Sequence, residues 1–215
     1  MRRLVALLLL AAPLAATAAE RPVQLARDFG TLYGTLRTPD DGASTVVLLV
    51  AGSGPTDRDG NNPLGVGAGT YKLLAEALDE AGIASLRYDK RAIGSSRLDD
   101  ASTPADLTFD MYVHDAAALA DYLAGEGFGR VVVAGHSEGA LIALCAAQRT
   151  GSIAAVVSLA GTAYPIDEVL RIQLARQLAP ARMDLLVEAE EILARLRPGE
   201  RVDMTYRARE PQPLL

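Results

Sequence analysis

The segment Gly135-His136-Ser137-Glu138-Gly139 has the residues and the spacing for nucleophilic chemistry. It follows an apolar run, Arg130 to Ala134, that reads as a buried strand, and it opens a helix predicted over Ala140 to Arg149. A G-x-S-x-G pattern between strand and helix makes a nucleophile elbow, a turn so tight that bulky neighbours of the Ser would clash. Gly135 and Gly139 relieve those clashes. The turn leaves the Ser137 hydroxyl at the C-terminal edge of the sheet, where open α/β sheets bind ligands. The N-terminus of the following helix adds unpaired amides and the positive end of a dipole, so the Glu138 N–H can donate to an oxyanion.

A second segment fits the same chemistry. Ala51-Gly52-Ser53-Gly54-Pro55-Thr56-Asp57-Arg58-Asp59-Gly60-Asn61 follows the apolar run Thr45 to Val50. Its glycines let backbone approach a substrate closely, and the N–H of Ser53, ahead of that of Gly54, is the expected second oxyanion donor. Asp57, Arg58 and Asp59 either orient the loop through side-chain to backbone bonds or line the pocket. The first role is favoured, because Asp and Asn satisfy turn backbones themselves. A metal site is disfavoured, since these carboxylates have no further ligands nearby in sequence.

These two loops need a sheet to hold them. Val23 to Arg27 and Leu32 to Arg37 alternate around Asp28-Phe29-Gly30 and read as an antiparallel hairpin. Thr45 to Val50, Ile83 to Tyr88, Arg130 to Ala134 and Ile153 to Leu159 read as strands separated by helices, hence as parallel neighbours joined by right-handed crossovers. One helix carries Leu73, Leu74, Ala77, Leu78 and Ala81 at helical spacing and stops at Gly82. Another, with Thr108 as its cap, buries Tyr112, Val113, Ala116, Leu119, Ala120 and Leu123. After Gly161 two amphipathic helices follow without an intervening strand. One runs through Val169, Leu170, Leu174 and Leu178 to Pro180, the other from Leu185 to Leu196. They read as a helical cap. The expected fold class is α/β: a mostly parallel sheet with an N-terminal hairpin, helices on both faces and a cap.

The N-terminus reads as a leader. Arg2-Arg3, an apolar run from Leu4 to Leu14 and Ala16-Thr17-Ala18 have the layout of a secretory signal peptide. The run is shorter than the ~20 apolar residues that span a bilayer. The expected organisation is a leader over 1–18, a core over 19–162, a cap over 163–199 and an irregular segment over 200–215, with the mature protein periplasmic or secreted. Net charge −6, with no basic run, excludes an electrostatic nucleic-acid footprint. A single cysteine excludes a disulfide framework or a thiolate zinc site. The expectation is of no metal, no cofactor, no nucleic-acid partner and no stable membrane insertion. The oligomeric state is left open.

The Gly52-Ser53-Gly54-Pro55 loop with Asp57-Arg58-Asp59-Gly60-Asn61, the segment Arg87-Tyr88-Asp89-Lys90-Arg91 and the Gly135 to Gly139 elbow occur in a family's order. Together they resemble the α/β-hydrolase fold serine esterases, in particular the dienelactone-hydrolase-like branch, over about Leu32 to Gly161. The resemblance implies a hydrolase of carboxylic esters with Ser137 as nucleophile, a backbone oxyanion hole from Ser53 and Glu138, and no metal or cofactor. The family's third motif is D-x-R-G-x-G-x-S, and here Ala92 replaces the first Gly. Asp89 and Arg91 are expected to tie neighbouring loops rather than touch substrate.

A Ser nucleophile needs a general base. In this fold an acid and then a His follow the Ser, yet no His follows Ser137. His136 is expected to pack beside the turn, and His114 to sit on a solvated helix face with Asp110 and Asp121. The later acids are Asp167, Glu168, Asp184, Glu188, Glu190, Glu191, Glu200, Asp203 and Glu210, and none follows a clear strand. Six strands are counted where the full fold has eight, so the expectation is a C-terminally truncated chain lacking the last strands. Alternatives are a non-catalytic relative that binds an acyl or ester ligand, and a peptidase or acyltransferase of the same fold.

Overall fold

The computed structural model describes residues 19–99 and 103–202. The leader predicted over residues 1–18, and Asp203 and Glu210 among the candidate acids, lie outside the described residues. The described chain forms two bodies that divide between Gly161 and Thr162.

The first body is built on a six-stranded sheet. Strands β1 (Ala19–Arg27) and β2 (Gly30–Thr38) form the hairpin, with Leu25 opposite Leu32. Strands β3 (Thr45–Val50), β4 (Ala84–Tyr88), β5 (Arg130–His136) and β6 (Ile153–Leu159) follow, in the spatial order β1-β2-β4-β3-β5-β6. The β3–β4, β3–β5 and β5–β6 pairs are parallel, and β2 joins β4 antiparallel. The mostly parallel sheet with its N-terminal hairpin is the one the apolar runs require.

Strand β3 shows why the sheet is two-faced. Val46, Leu48 and Val50 point into one cluster, with Val131, Val133, Val113, Leu119, Leu123 and Ile142. Val47 and Leu49 point into another, with Ala134, Tyr71, Leu74 and Leu78. The period of two along a strand sends alternate side chains to opposite faces. Helices α2 (Phe109–Gly125) and α3 (Glu138–Ala146) cover the first face, and α1 (Thr70–Glu80) covers the second.

After β3 the chain goes to β4 on one side, and later to β5 on the other. This reversal makes the crevice between β3 and β5 the place where an open α/β sheet takes a ligand. Val50 lies opposite Gly135, so the loop after β3 and the turn after β5 leave the sheet side by side.

Several boundaries and one face differ from the sequence expectation. Strand β1 starts at Ala19 instead of Val23, β2 spans Gly30–Thr38 instead of Leu32 to Arg37, and β4 starts at Ala84 instead of Ile83. The last helix, in the second body, starts at Met183 instead of Leu185. Strand β5 continues past Ala134 to His136, and α3 starts at Glu138, because the elbow leaves only Ser137 between them. Helix α3 ends at Ala146, before Arg149. Helix α1 buries Ala75 and half-buries Tyr71, Leu74 and Leu78, while Leu73 is 59% exposed and Ala77 is exposed. Its apolar residues occur on both flanks, so composition does not select the stripe; contact with Val47 and Leu49 does. Thr108 occupies the cap position of α2 without a side-chain bond to the helix.

The second body contains α4 (Ile166–Leu178) and α5 (Met183–Leu196), the two helices expected after Gly161. Arg171 joins them, with Nη1 on Asp167 at 2.7 Å and Nε on Glu190 at 2.7 Å. Leu193 is the one buried side chain among their described residues. Among the described residues no helix is long and apolar enough to cross a membrane.

Candidate active site

Ser137 has φ 53° and ψ −117°, a backbone conformation costing an L-residue about 1–3 kcal/mol. The surroundings over-determine it. Its N–H donates to the Leu159 carbonyl of β6 at 2.9 Å, and its own carbonyl accepts from Ala140 at 3.0 Å. A Cβ on Gly135 would run into the Gly139 carbonyl, and one on Gly139 would run into the Val50 carbonyl. The two glycines therefore let α3 pack against the ends of β3 and β5. Glu138 is the first residue of α3, so its N–H has no intrahelical acceptor.

The glycine-rich loop meets the elbow at Gly52. A Cβ there would lie 3.2 Å from the Ser137 Cβ and 3.1 Å from His136 Nδ1. The structure thus brings Ser53, Ser137 and Glu138 to one edge of the sheet. Gly52, Ser53, Thr56, Gly60, Val66, Thr70, Tyr71, His136 and Ser137 line a cleft of about 250 Å³.

The charged part of the loop is spent on structure. Asp57 Oδ1 accepts from the amides of Asp59 at 3.0 Å and Asn61 at 2.8 Å. The Asp59 carbonyl accepts from Tyr71 and Lys72 at the start of α1, and its carboxylate accepts from Arg87 Nε at 3.1 Å. Asp89 accepts from the Arg58 amide at 2.8 Å, from Arg58 Nη2 at 2.7 Å and from the Ser95 amide at 2.9 Å. None of Asp57, Arg58, Asp59 and Asp89 lines the cleft.

Residues 64–214 match the family model described as serine aminopeptidase, S33. The chain belongs to this hydrolase family. Its fold is shared with solved α/β hydrolases. A Pyrococcus furiosus esterase superposes with TM-score 0.58 at 20% identity, over 80% of this chain and 62% of that one. A proline iminopeptidase-related protein from Thermus thermophilus gives 0.56 at 23%, over 80% and 56%. A dienelactone hydrolase from Anabaena variabilis gives 0.51 at 24%, over 82% and 80%. This chain thus spans less than two thirds of the length of the Pyrococcus and Thermus proteins. No curated protein matches it.

Within the family frame the two histidines have clear places. His136 Nδ1 lies 3.1 Å from the Tyr71 hydroxyl, with the rings edge-on at 6.1 Å. His114 is half-exposed on α2, 3.4 Å from Asp110, and does not line the cleft. At the family's Gly position, Ala92 adopts φ 65°. The turn survives this strain through Ala92 N–H to Ser96 O at 2.8 Å and Ile93 N–H to Lys90 O at 3.0 Å.

Three residues of the site and its frame have roles that the motifs do not state. Tyr71 places its hydroxyl between the Gly52 N–H at 3.4 Å and His136, and burial raises its pKa. Lys90 is buried, with Nζ 2.7 Å from the Gly52 carbonyl and 2.9 Å from Glu138 Oε1. Asp115 is buried against Arg91, with Nε at 2.6 Å and Nη2 at 2.8 Å, and it also accepts from Arg27 at 3.0 Å. Asp115 stands three residues after Tyr112 and four before Leu119, on the edge of the apolar stripe, which is the one signal that marked it.

Proposed function

We propose that this chain is the nucleophile-bearing part of an exported serine hydrolase that cleaves carboxylic esters. The observation that carries the reading is the strained Ser137, held beside Gly52 and Ser53 at the switch point of the sheet. Strain of this kind at a sheet edge has no packing benefit of its own, whereas it aims a hydroxyl at the cleft.

In the proposed reaction Ser137 Oγ attacks the ester carbonyl as a base takes its proton. The carbonyl oxygen becomes an oxyanion and accepts from the Ser53 and Glu138 amides, for which donors at about 2.7–3.1 Å are needed. Collapse expels the alcohol with the proton from the base and leaves an acyl-Ser137 ester. Water then repeats the sequence and releases the acid. His136 is engaged with Tyr71 and adjoins Ser137 in sequence, and His114 lies off the cleft. We therefore assign the base to a residue outside these 215, so that this chain alone has little activity. Residues 1–18 would direct export to the periplasm or medium and be removed after Ala18.

A peptidase reading is favoured by the family's description. Against an aminopeptidase, none of the nine described residues lining the cleft is acidic, so among the described residues none there pairs with a substrate ammonium. The non-catalytic reading is favoured by the absence of a His in reach of Ser137.

The test compares the chain from Ala19 with a version extended by the sequence downstream of Leu215, each beside Ser137→Ala. The substrates are a p-nitrophenyl ester and an amino-acid p-nitroanilide. Ester turnover by the extended protein, lost in Ser137→Ala, is the expected result. Faster anilide turnover establishes the peptidase reading, and ester binding without turnover the non-catalytic one. N-terminal sequencing of exported protein should begin at Ala19; a start at Met1 contradicts the export assignment.

A further inference from the structure

Lys90 is one of only two lysines in the sequence and is 4% exposed. It lies just past the end of β4 and lines no cavity wall of the cleft. Its ammonium makes two hydrogen bonds and one cation–π contact. Nζ lies 2.7 Å from the Gly52 carbonyl, 2.9 Å from Glu138 Oε1 and 5.0 Å from the centre of the Tyr112 ring. An ammonium so placed is a junction between the glycine-rich loop and the first residue of α3.

The two polar contacts fall on the two residues that frame the proposed oxyanion hole. The Gly52 carbonyl and the Ser53 N–H belong to one peptide unit. In a trans peptide these groups point in opposite directions. Fixing the carbonyl on Lys90 therefore fixes the direction of the Ser53 N–H. Donation to a carbonyl also polarises its peptide, which makes the N–H at the other end a stronger donor. On the other side of the hole, the Glu138 carboxylate is tied to the same ammonium while the Glu138 N–H heads α3. The Gly52 N–H donates to Tyr71, so the loop is clamped at both ends of that residue.

We propose that Lys90 is a positioning residue for catalysis, which orients and polarises the Ser53 amide through the Gly52–Ser53 peptide and locks it to the elbow through Glu138. This rests on the proposed role of Ser53 and Glu138 as oxyanion donors. Lys90 touches no substrate and transfers no proton. Its contribution is confined to the state in which an oxyanion exists, so it acts on kcat and leaves substrate binding alone.

The first measurement needs no variant. In isotope-labelled full chain, NMR should show a coupling across the hydrogen bond from Lys90 Nζ to the Gly52 carbonyl carbon, with slowed exchange of the ammonium protons. Ammonium protons exchanging as in free lysine, with no coupling, overturn the proposal, and this holds even if Lys90→Met does not fold. In a folded Lys90→Met variant the Ser53 amide proton should shift towards the value of a weaker donor, and Lys90→Arg should restore part of the shift. An unmoved Ser53 amide also overturns it.

In the extended, active protein Lys90→Met should lower kcat about 10- to 100-fold. That is less than the ~10²–10³-fold cost of deleting an oxyanion donor outright. KM should stay within about twofold, since uniform binding is untouched. A rise in KM at constant kcat contradicts the assignment. If Ser137→Ala leaves turnover unchanged, the proposed function fails, and the two NMR readouts still decide whether Lys90 orients the Ser53 peptide.

Discussion

The sheet body and the helical pair of this chain are stabilised in different ways. In the first, charge is carried inside. Asp115 and Arg91 are 1% and 3% exposed and bond through two parallel contacts, and Arg91 also stacks over Phe29 at 3.9 Å. Asp89 and Lys90, in the same short segment, bind the glycine-rich loop through Arg58 and Gly52. Three consecutive charged residues thus reach three different partners. In the second body the ion pairs Arg171–Glu190, Arg182–Asp184 and Arg195–Glu200 stand in solvent, and no residue of α4 is buried. A buried pair positions the elements it joins, because a misplaced partner strands a charge in the interior. A solvent pair imposes no such demand.

The sharpest way to break this contrast is Asp115→Ala. Among the described residues it leaves the buried Arg91 guanidinium with Asp28, at 3.3 Å, and the Phe29 ring, and it removes the Arg27 contact. The expected loss is about 3–5 kcal/mol, read as a lowered denaturation midpoint. A loss below about 1 kcal/mol would place this network with the surface pairs.

Asp89→Asn comes next. It keeps the shape but removes the charge that holds Arg58 and the Ser95 amide. A loss of about 2 kcal/mol is expected, at the scale of hydrogen bonds to charged groups. Thermal melting should fall while ester preference stays the same. A changed preference with unchanged melting would make Asp89 a substrate-contacting residue.

The smallest effect belongs to the helical pair. Arg171→Ala should lower the denaturation midpoint only slightly at neutral pH, although it removes two ion pairs. Arg171 holds the Asp167 carboxyl below its ordinary value of 3.8. The folded-state pKa is depressed, so this contribution is present above that value and lost as pH falls through the lower folded pKa. An acid titration followed by circular dichroism should show the Arg171→Ala difference vanish at the acid end. A difference that grows on acidification would reverse the sign.

The sheet was legible because its strands are near-continuous Val and Leu runs, and Thr45–Val50 and Ile153–Leu159 match to the residue. The elbow was legible because only glycine fits at Gly135 and Gly139. The α1 stripe was misplaced by two residues towards Leu73 and Ala77, because Ala and Leu populate both flanks of that helix. The roles of Lys90, Tyr71 and Asp115 were missed for a common reason. Their importance lies in partners 19 to 88 positions away, Gly52, Glu138 and Arg27 among them, and no local pattern encodes such a partner.

The central claim is that Ser137, Ser53 and Glu138 form one acyl-transfer site. The most direct measurement is a crystal structure of the chain with a short alkylboronic acid, a mimic of the tetrahedral intermediate. The expected result is a bond from Ser137 Oγ to boron, with one boronate oxygen about 2.7–3.1 Å from both the Ser53 and Glu138 nitrogens. A boronate bound elsewhere, or an adduct on Ser137 whose oxygens reach neither amide, would contradict the account.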